Sequence, residues 1–536
     1  MHFTFMKQEI RESVKQAITK LYPDAAVDFS VDYAPENTGA DFASNAALVL
    51  AKKIGQKPME IAGEISKAIG EIRKIGEIGI AAPGFINFRC SLKYWHTVLA
   101  GILKDGQKYG SSKIGKGKKI NLESVSANPT GPLTVGHGRG AIIGLVLANV
   151  LKSQGYEVIR DYYYNDAGLQ MKRLGESVQF CVRKKLDQFI EGREYPARTY
   201  MGAYIEAIAQ QFINEKHPND ADDITVEEYT SFAAEKLFSL IKKTLGDLGV
   251  SFDNYVKESD QNIDKILKLL EKAGIVDDRE GAKWLKNRQG SEDKVLIRKT
   301  GEPTYRLPDI AYHLDKTKKY DKVVTVLGAD HISQFPDISY AVEKLDGDAG
   351  KIHVIINQFV TLDGGKKMST RKAEYVTLDE LIEEVGADVT KFFFSMNSAT
   401  SHMNFNIDLA RDTSEKNPLY KVQYAYARIN SILKKQQIKS QKPKLELLNN
   451  PDELSLIREL AKFPELEQEI TANYNIHQIP HYLLSLAEKF HGFYEKVRVI
   501  GEDKHLTSAR LALVQGVQTV LANGLRIMGI EPTEKM

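Results

Sequence analysis

Apolar side chains step along the start of the chain at helical spacing: Ile10, Val14, Ala17, Ile18 and Leu21 share one face. NAALVLAKKIG predicts a second helix closed by Gly55, and Pro58 stands where a further helix can begin. The β-branched and aromatic run GIAAPGFINFRC predicts a strand. YGSSKIGKGKKI, residues 109–120, is rich in Gly, Ser and Lys and reads as a linker. Beyond it the texture changes. KINLESVS predicts a strand, RGAIIGLVLANVLKSQG a helix ended by Gly155, and YEVIRDYYYN a second strand. Strand, helix and strand at this spacing make a βαβ unit, hence a parallel doubly wound sheet. KVLIRK, KVVTVLGAD and KIHVIINQFVTL predict further strands of the same kind. The stretch near 170–290 reads as a mostly helical insertion. From about 408 onward nothing strand-like remains; Leu513, Val517, Leu521 and Leu525 step by four, and Gly529 supplies a stop. The pattern predicts an α/β chain in three parts: a small α/β unit over 1–112, a parallel-sheet unit over 117–407, and an all-helical unit over 408–536.

The length of 536 residues agrees with several domains rather than one core. Charged residues make up 27% and the net charge is only +2, so any nucleic-acid partner must meet a local basic surface. The two cysteines, Cys90 and Cys181, are far apart. Neither a disulfide framework nor a cysteine-based zinc site is expected, and a reducing cytoplasm is the natural compartment. The N-terminus carries Glu9 and Glu12 within a helical pattern, unlike a secretory or transit peptide. The longest apolar run, near Ala141–Leu151, is broken by Asn149 and is too short to span a bilayer, so no membrane partner is expected.

Two stretches carry candidate chemistry. SANPTGPLTVGHGRGAIIG, residues 126–144, follows the first strand of the parallel unit and opens its helix. Ligands of such sheets sit there, where free N–H groups and the positive end of the helix dipole favour phosphate. Gly131, Gly136, Gly138 and Gly140 permit close backbone approach, and His137 can donate to a phosphate oxygen. The second, LDGGKKMSTRKAEYVTLDEL at 362–381, has paired glycines followed by Lys366, Lys367, Ser369, Arg371 and Lys372. Cations there suit the charge that builds when an α-phosphate is attacked and pyrophosphate leaves. Either stretch alone also reads as an ordinary turn or a solvated basic loop.

Together, TVGH and KMSTR resemble the HIGH and KMSKS motifs of class I aminoacyl-tRNA synthetases. LESVSANPTGPLTVGHGRGA, YYYNDAGLQ, TYRLPDIAYH, GADHISQ, NPLYKVQYAYARI and the ending ARLALVQGVQTVLANGLRIMGI resemble the corresponding stretches of the arginyl-tRNA synthetases. So do TGADFASNAALVLAKKIG and APGFINF near the start, and the likeness runs the length of the chain. It implies a Rossmann-type catalytic domain, an N-terminal domain that touches the tRNA elbow, and a helical anticodon-binding domain. The activity implied is ATP-dependent ligation of L-arginine to tRNA(Arg) through an arginyl-adenylate, with Mg2+ accompanying ATP, no tightly bound protein metal, and activation that depends on bound tRNA. Glu123, Asp309, Tyr305 and Gln334 are then expected to hold the arginine side chain, and Asn128 to orient its amino-acid end. Thr134, Gly136, His137, His331, Lys367 and Met368 are expected around ATP, with His137, Lys367 and Ser369 catalytic. Tyr420, Tyr424 and Arg428 are expected to touch tRNA, and the chain is expected to be a monomer. Two positions depart from the motifs: Thr134 replaces the first histidine, and Thr370 the second lysine. Thr134 alone favours the alternative, a weak or inactive tRNA-binding relative. Thr134→His is expected to leave activation intact or raise it.

Overall fold

A computed structural model describes residues 6–188, 200–362, 376–435 and 443–536. The helix Met6–Leu21 and the helices Ala46–Ile54 and Pro58–Ala68 pack on a four-stranded antiparallel sheet. Gly55, at φ 73, closes its helix as expected. GIAAPGFINFRC is part of a hairpin rather than a single strand: Ile75–Ala81 and Phe85–Cys90 pair antiparallel around Pro83 and Gly84. The segment 109–120 is no loose linker at its start. Tyr109 is buried, its hydroxyl donates to the Leu460 carbonyl, and Glu467 crowds Gly110.

The central sheet has five parallel strands: β1 (Lys119–Glu123), β2 (Glu157–Tyr164), β3 (Asn254–Lys257), β4 (Lys322–Gly328) and β5 (Ile352–Asn357), in the order β5-β4-β1-β2-β3. Helix α1 (Val135–Ser153) crosses from β1 to β2. It is apolar on nearly every side because the sheet covers one face and the helices Ala387–Ser395 and Phe463–Asn473 cover the other. Helix α2 (Arg306–Lys319) leads into β4, and α3 (Phe335–Lys344) into β5. Alternation along the strands points Asn121, Glu123, Asp161 and Tyr163 toward α2.

Two strand expectations need correction. KVLIRK forms Lys294–Ile297 of a separate antiparallel sheet with Val276–Arg279 and Ala282–Leu285, because the Glu280–Gly281 turn and the loop 286–293 fold the chain straight back and leave no crossover helix. KIHVIINQFVTL is two strands: after β5, Val360–Leu362 leaves to pair in parallel with Met403–Phe405. The 170–290 stretch is helical through Asp247, with its own apolar core, but it also supplies β3, the edge strand of the main sheet. From Ile407 on, the described residues form helices only, ending in Lys504–Ile527 with Gly529 at φ 70. No described helix is long and apolar enough to cross a membrane.

Candidate active site at the carboxyl edge of the sheet

From β1 the chain builds β2 and β3 on one side and β4 and β5 on the other. The loops after β1 and β4 therefore part and leave a crevice, the usual ligand position in such a sheet. The loop after β1 turns through two left-handed residues, Val125 (φ 72) and Ser126 (φ 44). A β-branched residue there is strained by about 1–3 kcal/mol, so the corner persists only because its neighbours hold it. Ser126 Oγ donates to Glu123 Oε1 at 2.9 Å and accepts from the Tyr163 N–H at 3.2 Å. The Tyr162 hydroxyl donates to the Ala127 carbonyl at 2.7 Å. Asn128 accepts from the Asn165 N–H at 2.9 Å and donates to Gln170 at 3.0 Å, tying this loop to the one after β2.

Thr134 has a defined task. It is the N-cap of α1, and its hydroxyl accepts from the His137 N–H while its own N–H donates to His137 Nδ1 at 3.1 Å. Nδ1 is thereby an acceptor, so the neutral ring carries its proton on Nε2. Thr134 also bridges antiparallel to Thr377, which anchors the chain emerging at 376 beside the nucleotide loop. Removing the cap as Thr134→Ala is expected to cost about 1 kcal/mol of stability, read by denaturant unfolding. Thr134→His exchanges the same cap for a larger donor and is expected to carry a similar penalty. Asn357, at the end of β5, donates to the Gly136 carbonyl at 3.0 Å. Gly138 admits no side chain: a Cβ there would lie 2.4 Å from Leu378 and 3.2 Å from Phe394. Gly138→Ala is expected to destabilise by about 1–3 kcal/mol in the same assay.

Across the crevice α2 presents Asp309, Tyr312, His313 and Lys316. Asp309 and Glu123 share a pocket with Glu258, which follows β3. Burial first, then the charges of Glu123 and Glu258, push the Asp309 carboxyl up to about 8. Burial and Asp166 raise Glu258 to about 7. Glu123 is 3% exposed. Burial alone would raise it, but the Lys316 ammonium 2.8 Å away, with His313 and the hydrogen bonds from Lys316 and Ser126, holds it below the ordinary value. Burial lowers His313 to about 4, leaving it neutral, with Nδ1 on the Asp309 carbonyl. The Tyr163 ring stacks on Tyr312 at 4.5 Å. Its hydroxyl is buried beside Asp309 and, by hydrogen bonding to that carboxylate, offsets part of its upward shift. An acid-rich pocket favours a cation.

Of the expected residues, the fold thus gathers Glu123, Asn128, Thr134, Gly136, His137 and Asp309 around the crevice. Tyr305 is 39% exposed at the start of α2, with the Arg306 guanidinium over its ring. His331 is exposed after β4, and its ring nitrogen lies 3.4 Å from Gln334 Oε1. Lys367, Met368, Ser369 and Thr370 lie outside the described residues. In the helical part, Tyr424 stacks on His491, and Arg428 sits over both Tyr424 and Tyr494 at 5.5 and 4.6 Å. Tyr420 packs half-buried against the core.

The sequence reading did not single out Lys316, Tyr163 or Arg139. Lys316 lies seven residues after Asp309, two helical turns on the same face, which is a readable signal. Arg139 is wholly buried in α1 and donates to the carbonyls of Gln358, Ser398 and Ser401, fixing the two segments that flank the crevice below β5. Among the described residues no group of three or more His, Cys, Asp and Glu is placed to hold a metal ion.

Comparison with known proteins agrees with this geometry. Residues 8–90 match the arginyl tRNA synthetase N-terminal domain, 98–400 the catalytic domain of tRNA synthetases class I (R), and 422–536 the DALR anticodon-binding domain. The arginine–tRNA ligase of Desulfotalea psychrophila is 39% identical, covering 98% of this chain and 100% of that protein. That of Salinibacter ruber is 40% identical over 99% and 100%. The Thermus thermophilus arginyl-tRNA synthetase has the same fold, with a TM-score of 0.79 at 22% identity over 99% of this chain and 100% of that one. The chain belongs to the arginine–tRNA ligase family of class I aminoacyl-tRNA synthetases.

Proposed function

We propose that the chain ligates L-arginine to tRNA(Arg) at the expense of ATP, through arginyl-adenylate, releasing AMP and pyrophosphate. The observation that carries this reading is the pocket of Asp309, Glu123 and Glu258 beside a glycine-opened helix start. A cation site and a phosphate site adjoin, as joining a guanidinium-bearing acid to a nucleotide requires.

The arginine carboxylate attacks the α-phosphorus of ATP, and pyrophosphate leaves. Asp309 is the direct partner of the guanidinium, with Tyr305 and Gln334 around it. Glu123, with Lys316 on its carboxylate, closes the back of the pocket around the side chain, and Asn128 orients the amino-acid end. Gly136, Thr134 and His137 form the phosphate and adenine side, His331 serves the ribose, Lys367 and Ser369 cover the phosphates, and Met368 adds to the ATP site. Mg2+ arrives with ATP and offsets phosphate charge. The protein's share is positioning and charge stabilisation. The arginyl group then passes to the 2′-hydroxyl of the terminal adenosine of tRNA.

Residues 1–112 meet the tRNA elbow, 117–407 carry the chemistry and 408–536 read the anticodon. Tyr424 and Arg428, stacked and half-buried, suit unstacked bases, with Tyr420 beside them. The chain works as a cytoplasmic monomer. Nothing in the comparisons supports the inactive alternative, and Thr134 is accounted for as a helix cap. Arginine-dependent ATP–pyrophosphate exchange tests the reading. Exchange that requires both arginine and tRNA(Arg) is expected; exchange with another amino acid in place of arginine would contradict it.

A further inference from the structure

Three carboxylates, Glu123, Asp309 and Glu258, face the cation pocket, yet the substrate brings one guanidinium. Glu123 ends β1 and is buried, with Oε1 accepting from Ser126 and Oε2 from Lys316 at 2.8 Å. The Glu123 and Lys316 side chains are 4% and 2% exposed. The Lys316 ammonium also stands 4.0 Å from the Tyr312 ring centroid, and the Tyr312 hydroxyl donates to Asp161 at 3.1 Å, fixing that ring. Asp309, two turns earlier on the same helix face, makes no ion pair among the described residues. Lys257, the cation beside Glu258 in the chain, is taken by Asp166 at 3.8 Å, and Arg306 by Asp337 at 3.3 Å. Among the described residues, Lys316 is therefore the cation committed to the acids that line the pocket.

We infer that Lys316 is a specificity-setting residue. Its ammonium, held on Glu123, cancels that carboxylate and leaves Asp309, on the same helix face, to match the guanidinium. This rests on the arginine pocket proposed above. Without Lys316, Glu123 would be a further buried, unpaired acid beside Asp309, and such neighbours do not all ionise readily. The pocket would then enter binding with one more proton to shed than in the parent chain. The neighbouring groups do not substitute: His313 is neutral, Tyr163 supplies only a hydroxyl, and Glu258 and Asp161 are themselves acids.

The test is calorimetric titration of L-arginine into the full chain, in buffers of different ionisation heat, from pH 6 to pH 9. The parent chain is expected to release protons on taking up arginine at pH 7, chiefly from Asp309. Lys316→Met is expected to release about one more per arginine than the parent, and to bind arginine at least tenfold more weakly at pH 6, with the gap closing toward pH 9. Lys316→Arg retains the charge and is expected to keep the parent's proton count; it also serves if the methionine variant does not fold. A purely structural Lys316 would leave the proton count of Lys316→Met at the parent's value, and a count above the parent's in Lys316→Arg would equally overturn the inference. If the parent chain takes up no arginine, the pocket assignment fails first. If it binds arginine but Lys316→Met leaves proton release at the parent's value, only the role of Lys316 fails.

Discussion

Asp309→Asn is expected to lower kcat/KM for arginine in ATP–pyrophosphate exchange by about a thousandfold, some 4 kcal/mol of transition-state binding. The amide keeps the shape of the side chain but removes the carboxylate that α2 presents to the crevice, which makes no ion pair among the described residues. The loss should fall mainly on arginine, with KM for ATP little changed. A second readout separates this from damage to the fold. Burial and the nearby Glu123 and Glu258 charges raise the Asp309 carboxyl to about 8, above the ordinary carboxylate range. Between about pH 4 and pH 8 the folded chain keeps a proton that the unfolded chain has lost, so this group's contribution to stability falls as pH rises through that window. Asparagine removes the dependence. Asp309→Asn is therefore expected to match the parent in stability near pH 4 and to exceed it by about 2–4 kcal/mol near pH 8, measured by denaturant unfolding without arginine. An activity loss accompanied by reduced stability at pH 8 would count against the assignment.

His137→Ala is expected to slow adenylate formation by about 10²–10³-fold, the scale of one lost donor to a developing phosphate charge. The His137 ring is oriented by Thr134, whose N–H engages Nδ1 and leaves the proton of the neutral ring on Nε2. Alanine removes that donor while the backbone cap from the Thr134 hydroxyl stays available. The fall should appear in kcat at saturating ATP and arginine. A change confined to KM for ATP would reduce His137 to a binding contact.

The parallel sheet and the glycine-opened helix were legible because their signals are local: apolar runs, turn residues, and a motif that begins a helix. KVLIRK was misassigned because a short apolar strand looks the same in a parallel or an antiparallel sheet, and the difference lies in how the connections fold back. Asn254–Lys257 went unseen because an edge strand of four residues between helices carries almost no periodicity. Within the site, Glu123, Asp309 and His137 could be named from motifs. Their electrostatic setting could not: Lys316 reaches Glu123 across 193 residues of sequence, and Arg139 reaches the carbonyl of Ser401 across 262. Thr134 looked like a lost histidine in the motif, and only the capping geometry gives it a physical task of its own.

The most direct measurement is charging of total tRNA by the purified full chain with Mg-ATP and each of the amino acids in turn. The account predicts stable attachment of arginine alone, to the arginine-accepting tRNA. Tight binding of that tRNA with no arginine attached, or charging with a different amino acid, would contradict it.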